Sequence, residues 1–235
     1  MTNVRFAFLG RAAYEPVWQL QESLRERILA GDDSAETLLF VEHDPVITMG
    51  RSANPAHVLS AQVPVVRTSR GGDVTVHGPG QLVIYPVVRL PRGVVAFVEA
   101  IGGAIADELG ARGVAARFGR DPVGVWVGAR QELRQELRQE LRQELRQEVR
   151  KIAACGLHLR RRVAVHGFAV NIADTCLPLF DLIVPCGLRD VAVTSLEREL
   201  GAPAPPLSAL VPPLAARIAC ALGRATEPAR ERILC

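Results

Sequence analysis

The spacing of apolar positions changes several times along the chain, and each change marks an element. Val17, Leu20, Leu24, Ile28 and Leu29 recur at helical steps, which predicts an amphipathic helix over 16–30. The stretch TLLFVEHDPVITMG (37–50) is broken at His43-Asp44-Pro45, predicting one or two short strands about a turn. Residues 63–90 place β-branched runs between glycine-rich turns, and 93–110 return to helical spacing that ends near Gly110. GVWV (124–127), KIAACGLHLRR (151–161) and VAVHGFAVNI (163–172) predict successive antiparallel strands. Thr194 and Glu197 have capping-box spacing at the start of a helix, and a last helix covers about 207–222. Helices among strands without regular βαβ alternation indicate α+β, a mixed, largely antiparallel sheet flanked by helices.

One segment departs from both periods. Residues 130–149 hold four copies of Arg-Gln-Glu-Leu and then Arg-Gln-Glu-Val. A period of four stacks Glu on Glu and Arg on Arg at i,i+4, so the usual ion-pair support of a helix is absent. The leucine row also drifts by about 40° per repeat and makes no fixed seam. The expectation is a marginal exposed helix or mobile loop inserted into a single domain spanning 1–235. A partner-binding helix is the sharper alternative.

Composition narrows the class. An apolar content of 49% in 235 residues suits a globular domain with a substantial core. Glu99 and Asp107 interrupt the best apolar stretch, no signal-peptide core opens the chain, and a cytoplasmic protein is expected. A net charge of +3 does not call for nucleic acid. No Walker A sequence, dinucleotide fingerprint or zinc-type spacing occurs, so neither metal nor cofactor is expected. The 28 basic residues are 27 Arg and one Lys, Lys151. Arg keeps its proton, whereas a desolvated ammonium can release one, which makes Lys151 a candidate for proton chemistry.

Five cysteines compete as nucleophile. Cys220 is expected on the apolar face of the last helix, Cys235 is terminal, and Cys155 and Cys176 have apolar neighbours. Cys186 lies between Pro185 and Gly187, a stiffened approach followed by an open one, and ranks first. A thiol needs a base or a nearby cation, for which Lys151, His77 and His166 are candidates. His43 and His158 read as structural or surface residues. The Gly71-Gly72 and Gly78-Pro79-Gly80 turns flank Thr75 and His77 and can bring backbone close to a ligand.

The chain resembles the lipoyl(octanoyl) transferases. The resemblance is carried by LLFVEHDPVITMGR (38–51), RGGDVTVHGPGQLVIYP (70–86), GVWV (124–127), RKIAACGLHLRR (150–161), VHGFAVNI (165–172), PCG (185–187) and VTSLEREL (193–200). These segments occur in family order and span about two-thirds of the chain. The resemblance implies the fold of the lipoate/biotin protein ligase catalytic domain. It implies octanoyl transfer from octanoyl-acyl carrier protein to a lysine of lipoyl domains, as in 2-oxo acid dehydrogenase E2 subunits and the glycine cleavage H protein, without a cofactor or a membrane. Cys186 would carry the acyl thioester and Lys151 would lower the thiol's pKa. Substrate contacts would come from Arg70, Gly71, Gly72, Asp73, Val74, Thr75, Val76 and His77. Ala154, Cys155 and Gly156 would add to them, with Gly167, Phe168 and Ala169. The sequence departs from the family at Asp73 and Val76, where Gln and an aromatic are common, and in the repeat that ends just before Lys151. Rival readings are an ATP-dependent lipoate or biotin ligase, a non-catalytic module for carrier protein or lipoyl domains, and a Cys–His hydrolase.

Overall fold

The computed structural model describes residues 3–128, 149–185 and 192–229. Strand β1 (Asn3–Ala12) leads into helix α1 (Tyr14–Leu29), then β2 (Thr37–His43) and β3 (Val46–Met49). Short β4 (Val65–Arg67), β5 (Val74–His77) and β6 (Gln81–Val87) precede helix α2 (Val94–Gly110). Strands β7 (Ala116–Arg120), β8 (Val123–Val127), β9 (Arg150–Arg160) and β10 (Val163–Asn171) follow. Strand β11 (Ala192–Val193), α3 (Leu196–Leu200), α4 (Leu207–Ala221) and β12 (Ala225–Pro228) complete the described chain.

The main sheet runs β12-β1-β2-β6-β10-β9-β8-β7, with β11 beside β9. From β2 to β7 along that order every pairing is antiparallel, while β12–β1, β1–β2 and β11–β9 are parallel. The mixed, largely antiparallel sheet flanked by helices is thus as the sequence indicates. Its central strands β6 and β10 are buried throughout, which explains their near-continuous apolar runs.

Strand alternation divides the core. Leu38 and Phe40 of β2 face α2 and α4, which contribute Phe97, Ile101, Leu214 and Ile218. Leu39 and Val41 point the other way, onto Val17, Leu24 and Ile28 of α1. A separate three-stranded sheet, β4-β3-β5, has its own small core of Ile47, Met49, Val74 and Val76 against Phe180 and Ile183.

Two expectations need correction. The cap of α3 is Ser195 rather than Thr194: the Ser195 hydroxyl accepts from Arg198 N–H at 3.1 Å. Glu197 instead accepts from the Asp174 N–H at 2.7 Å, and Thr194 donates to Glu199 at 2.6 Å. A tertiary partner drew Glu197 out of the local box, and Thr194 took a carboxylate two residues further along the same helix. Cys220 is exposed, not buried. The inner face of α4 is Leu210, Val211, Leu214, Ala215, Ile218 and Ala219, and one further step of about 100° carries Cys220 to solvent. Strands β1, β7 and β12 lack clean alternation and were not indicated by the sequence pattern. Of the expected elements, residues 130–148 of the repeat lie outside the described residues, as do Cys186 and Cys235.

Close packing of β6 on β10 depends on Gly167. A Cβ there would stand 2.0 Å from the Ile84 carbonyl oxygen and 2.7 Å from Pro86 Cδ. Both obstacles are backbone or ring atoms of a central strand. Gly167→Ala is therefore expected to destabilise the fold by about 1–3 kcal/mol, as overpacking does. Chemical denaturation would show this as a lowered midpoint, and an unchanged midpoint would contradict it.

Candidate active site

A cavity of about 430 Å³ opens where β5, β6, β9 and β10 converge under the Arg70–Asp73 turn. That size lies within the roughly 300–1,000 Å³ common for small-molecule sites. Thr75 and His77 of β5 line it, whereas Val74 and Val76, one residue out of phase, pack into the small core. Ala154, Cys155 and Gly156 of β9 and Gly167, Phe168 and Ala169 of β10 form much of the wall. Arg70, Gly72 and Asp73 form part of the rim. Gly71 is not a lining residue; its N–H donates to the Leu157 carbonyl at 2.8 Å, holding the turn on the edge of β9.

The remaining walls carried no sequence signal as site residues. Tyr14 comes from α1, Val83 and Tyr85 from β6, and Asp121, Pro122 and Val123 from the β7–β8 turn. A Tyr one residue into a helix, or a Pro in a hairpin, acquires a role only when another element closes over it.

Arg70 is 7% exposed. Its Nε donates to Thr48 Oγ1 at 3.1 Å and its Nη1 to the Gly71 carbonyl at 3.0 Å, while Nη2 donates to the Thr48 carbonyl. Asp73 accepts from the Asn54 N–H at 2.9 Å and from His57 Nδ1. Gly156 is needed for close approach, since a Cβ there would lie 3.0 Å from the Gly71 carbonyl oxygen.

Lys151 is 6% exposed and lines the cavity. Its Nζ lies 4.7 Å from the Trp126 ring centroid, a favourable seat for an ammonium. The Trp126 indole donates to the Pro122 carbonyl at 3.1 Å, which fixes that ring. Gly124 lies beneath the side chain: a Cβ there would sit 3.1 Å from Lys151 Cε. The neighbouring Arg150 is clamped to Glu199 of α3 at 2.8 and 2.9 Å, and this pairing holds the Glu199 carboxyl below its usual range.

Cys186 lies outside the described residues, but the chain on either side of it reaches Lys151. Pro185 and Lys151 line one small adjoining cavity, and Val193 of β11 pairs with Lys151 of β9. Among the other thiols, Cys155 is half-buried in the wall. Cys176 is buried, donates to the Ala173 carbonyl at 3.1 Å, and is pushed up to about 12 by burial. Cys176 is consequently a poor nucleophile.

Three histidines sit on the floor or behind it. His43 donates through Nδ1 to the Ala12 carbonyl at 2.9 Å, which leaves Nε2 to accept from Tyr85 at 2.8 Å. His166 has φ 59°, a left-handed backbone uncommon outside glycine, and is held by contacts of Nδ1 with Tyr14 at 3.3 Å and Nε2 with Ser69 at 3.1 Å. Burial is the leading cause that lowers His43 to about 4 and both His77 and His166 to about 3. The Arg70 charge adds to the depression at His77 and His166. These rings are neutral at physiological pH and are weak general bases. His158 is half-buried on β9, as a surface or structural residue would be. Among the described residues no group of three His, Cys, Asp or Glu side chains is placed to hold a metal, and no helix is long and apolar enough to cross a membrane.

A polar-rimmed, largely apolar cavity ending at a buried lysine is the kind of site that takes a small ligand with an apolar part. The family model for the lipoyl protein ligase A/B catalytic domain matches residues 13–216. The octanoyltransferase of Methylococcus capsulatus is 44% identical over 211 residues, 86% of this chain and 90% of that protein. The bi-partite lipoate protein ligase of Thermoplasma acidophilum superposes with a TM-score of 0.67 at 15% identity, over 99% of this chain and 89% of its own. The biotin protein ligase of Aquifex aeolicus gives a TM-score of 0.51 at 14% identity, over 93% and 70% respectively. The chain belongs to the lipoyl(octanoyl) transferases within the lipoyl protein ligase A/B catalytic domain family and is an acyltransferase.

The neutral histidines make stability acid-sensitive. Their native pKa values lie below the 6.5 of a free imidazole, so between about pH 6 and 4 the unfolded state binds more protons. Their contribution is complete above pH 6.5 and is lost as pH falls through that window. With three rings acting together, stability should fall by up to about 4 kcal/mol per pH unit below pH 6. Urea titrations at stepped pH would measure the slope; a flat profile from pH 7 to 5 would refute the assignment.

Proposed function

We propose that this acyltransferase moves an octanoyl group from octanoyl-acyl carrier protein to a lysine of lipoyl domains, by way of a thioester on Cys186. In this reading residues 1–235 act as one catalytic domain with the 130–149 repeat inserted between β8 and β9. The acceptors are lipoyl domains of 2-oxo acid dehydrogenase E2 subunits and the glycine cleavage H protein. The observation that carries it is the convergence on Lys151. The chain's single lysine lies at the wall of an apolar cavity, and Pro185 and Val193, on either side of Cys186 in the chain, border that lysine. Each methylene of an octanoyl chain entering the cavity contributes about 0.8 kcal/mol on leaving water. Phe168, Ala169, Val83 and Ala154 offer the apolar surface for it.

The chemistry runs in two halves. In the first, the Cys186 thiolate attacks the donor thioester carbonyl, and the S–C bond to the carrier arm breaks. Lys151 gives its proton to the departing carrier thiolate, leaving a neutral amine. In the second, the acceptor lysine attacks the Cys186 thioester, and Lys151 takes the proton that the new amide nitrogen sheds. Cys186 leaves as a thiolate beside the restored ammonium, ready for another cycle. Arginine keeps the charge but cannot shuttle the proton.

Lys151→Arg should fold normally and lose transfer by about 10²–10⁴-fold, the range of a positioned acid–base group. Intact-protein mass spectrometry after mixing with octanoyl-acyl carrier protein should show one base-labile octanoyl adduct that Cys186→Ser does not form. An adduct on Cys155 or Cys176 would overturn the nucleophile. Labelling that requires ATP and free octanoate would overturn the donor and favour a ligase.

A further inference from the structure

A line of buried hydrogen bonds runs from the turn above the cavity to the strand that carries Lys151, and its polarity can be read from one end. The Thr194 carbonyl can only accept, so Asn171 must present its Nδ2 there, at 2.9 Å. Asn171 Oδ1 then faces Gln81 and accepts from Gln81 Nε2 at 3.0 Å. Gln81 Oε1 is left to face His77 Nδ1 at 2.7 Å, which must carry the ring proton. His77 Nε2 therefore keeps its lone pair, facing Thr48 Oγ1 at 3.4 Å, and Thr48 in turn accepts from Arg70 Nε at 3.1 Å. At the far end the Thr194 N–H donates to the Lys151 carbonyl at 3.0 Å. The five residues between Arg70 and Lys151 are all at least nine-tenths buried: Thr48 and Thr194 at 0%, Gln81 at 2%, Asn171 at 3% and His77 at 6% exposed.

We propose that Gln81 and Asn171 are positioning residues of the acyl transfer, locking His77 in its Nδ1–H form and holding Thr194 against the strand that carries Lys151. The proposal rests on the acyl-transfer reading for its kinetic consequences, but not for the tautomer it assigns. Gln81 and Asn171 lie opposite one another in the β6–β10 register, so the relay crosses the sheet without a gap. Both also line the small cavity shared by Lys151, Thr75, Pro185 and Val193. Neither touches the larger cavity, so neither is assigned contact with the substrate. His77 becomes the keystone between Arg70 and this relay rather than a general base. The groups around its ring are Arg70, His43 and His166, with Tyr14 stacked at 6.0 Å; all three charged or chargeable neighbours oppose a second proton.

Nitrogen-15 spectra of histidine-labelled protein read the tautomer directly. His77 should show a protonated Nδ1 and a bare Nε2, with no titration between about pH 5 and 8. A protonated Nε2, or titration in that range, would overturn the proposal. Gln81→Glu places a carboxylate against Nδ1 and should raise the His77 pKa. It should also move the acid limb of the kcat profile to higher pH than in the parent protein, at unchanged KM for octanoyl-acyl carrier protein. Asn171→Leu should lower kcat by about 10²-fold, as small misplacements of reacting groups do, with KM within about threefold. A rise in KM at unchanged kcat in either variant would overturn the positioning role. Should Asn171→Leu fail to fold, the Gln81→Glu pH profile decides. Absence of any octanoyl transfer by the parent protein would remove the acyl-transfer reading, while the spectra would still decide the relay.

Discussion

A buried guanidinium must have its donors satisfied, and Arg70 meets that requirement by binding two backbone carbonyls and one hydroxyl from neighbouring segments. Much of the site's order follows. The Thr48 carbonyl and hydroxyl belong to β3, so Arg70 ties the small β4-β3-β5 sheet to the glycine turn. The same turn is fixed to β9 through Gly71 and Leu157. The cavity lies between these two attachments. Burial above all, with the charge of Arg70 adding to it, discourages protons on His77 and His166 and keeps the cavity floor neutral and compatible with an apolar ligand.

A second constraint acts from below. Strands β6 and β10 are buried on both faces, and they approach closely only because residue 167 lacks a side chain. Glycines 156 and 124 serve the same purpose on β9 and β8, the first beneath the Arg70 turn and the second beneath the Lys151 side chain. Small residues thus lower the sheet surface locally, and the larger residues around them form the walls. Lys151 reaches this hollow from β9 across the Trp126 face, with Arg150 beside it tied to Glu199 of α3.

Much of the fold was legible because period and punctuation agree. Helices α1, α2 and α4 and the β8–β9–β10 meander fall where spacing and glycine turns put them. The misses have specific causes. Strand β1 has only Val4 fully buried among ten residues, so its alternation is faint, and β12 is a short edge strand ending at Pro228. The α3 cap moved to Ser195 because Glu197 found the Asp174 N–H and Thr194 found Glu199. Cys220 fell just outside a face whose width depends on how α4 lies against α2. In the site, alternation within the RGGDVTVH block turns Thr75 and His77 to the cavity and Val74 and Val76 to the small core.

By itself the sequence determined the class of fold, the residue types available for chemistry, and the singling out of Lys151 among 27 arginines. These depend on composition, periodicity and local turn chemistry, all of which act over a few neighbouring residues. Tertiary structure alone decided that His77 and His166 stay neutral, that Tyr14 and the β7–β8 turn close the cavity, and that Gln81 faces Asn171 across the sheet. Each of these depends on distances between residues far apart in the chain, and on burial, which strengthens electrostatic interactions by excluding water. No local pattern carries that information.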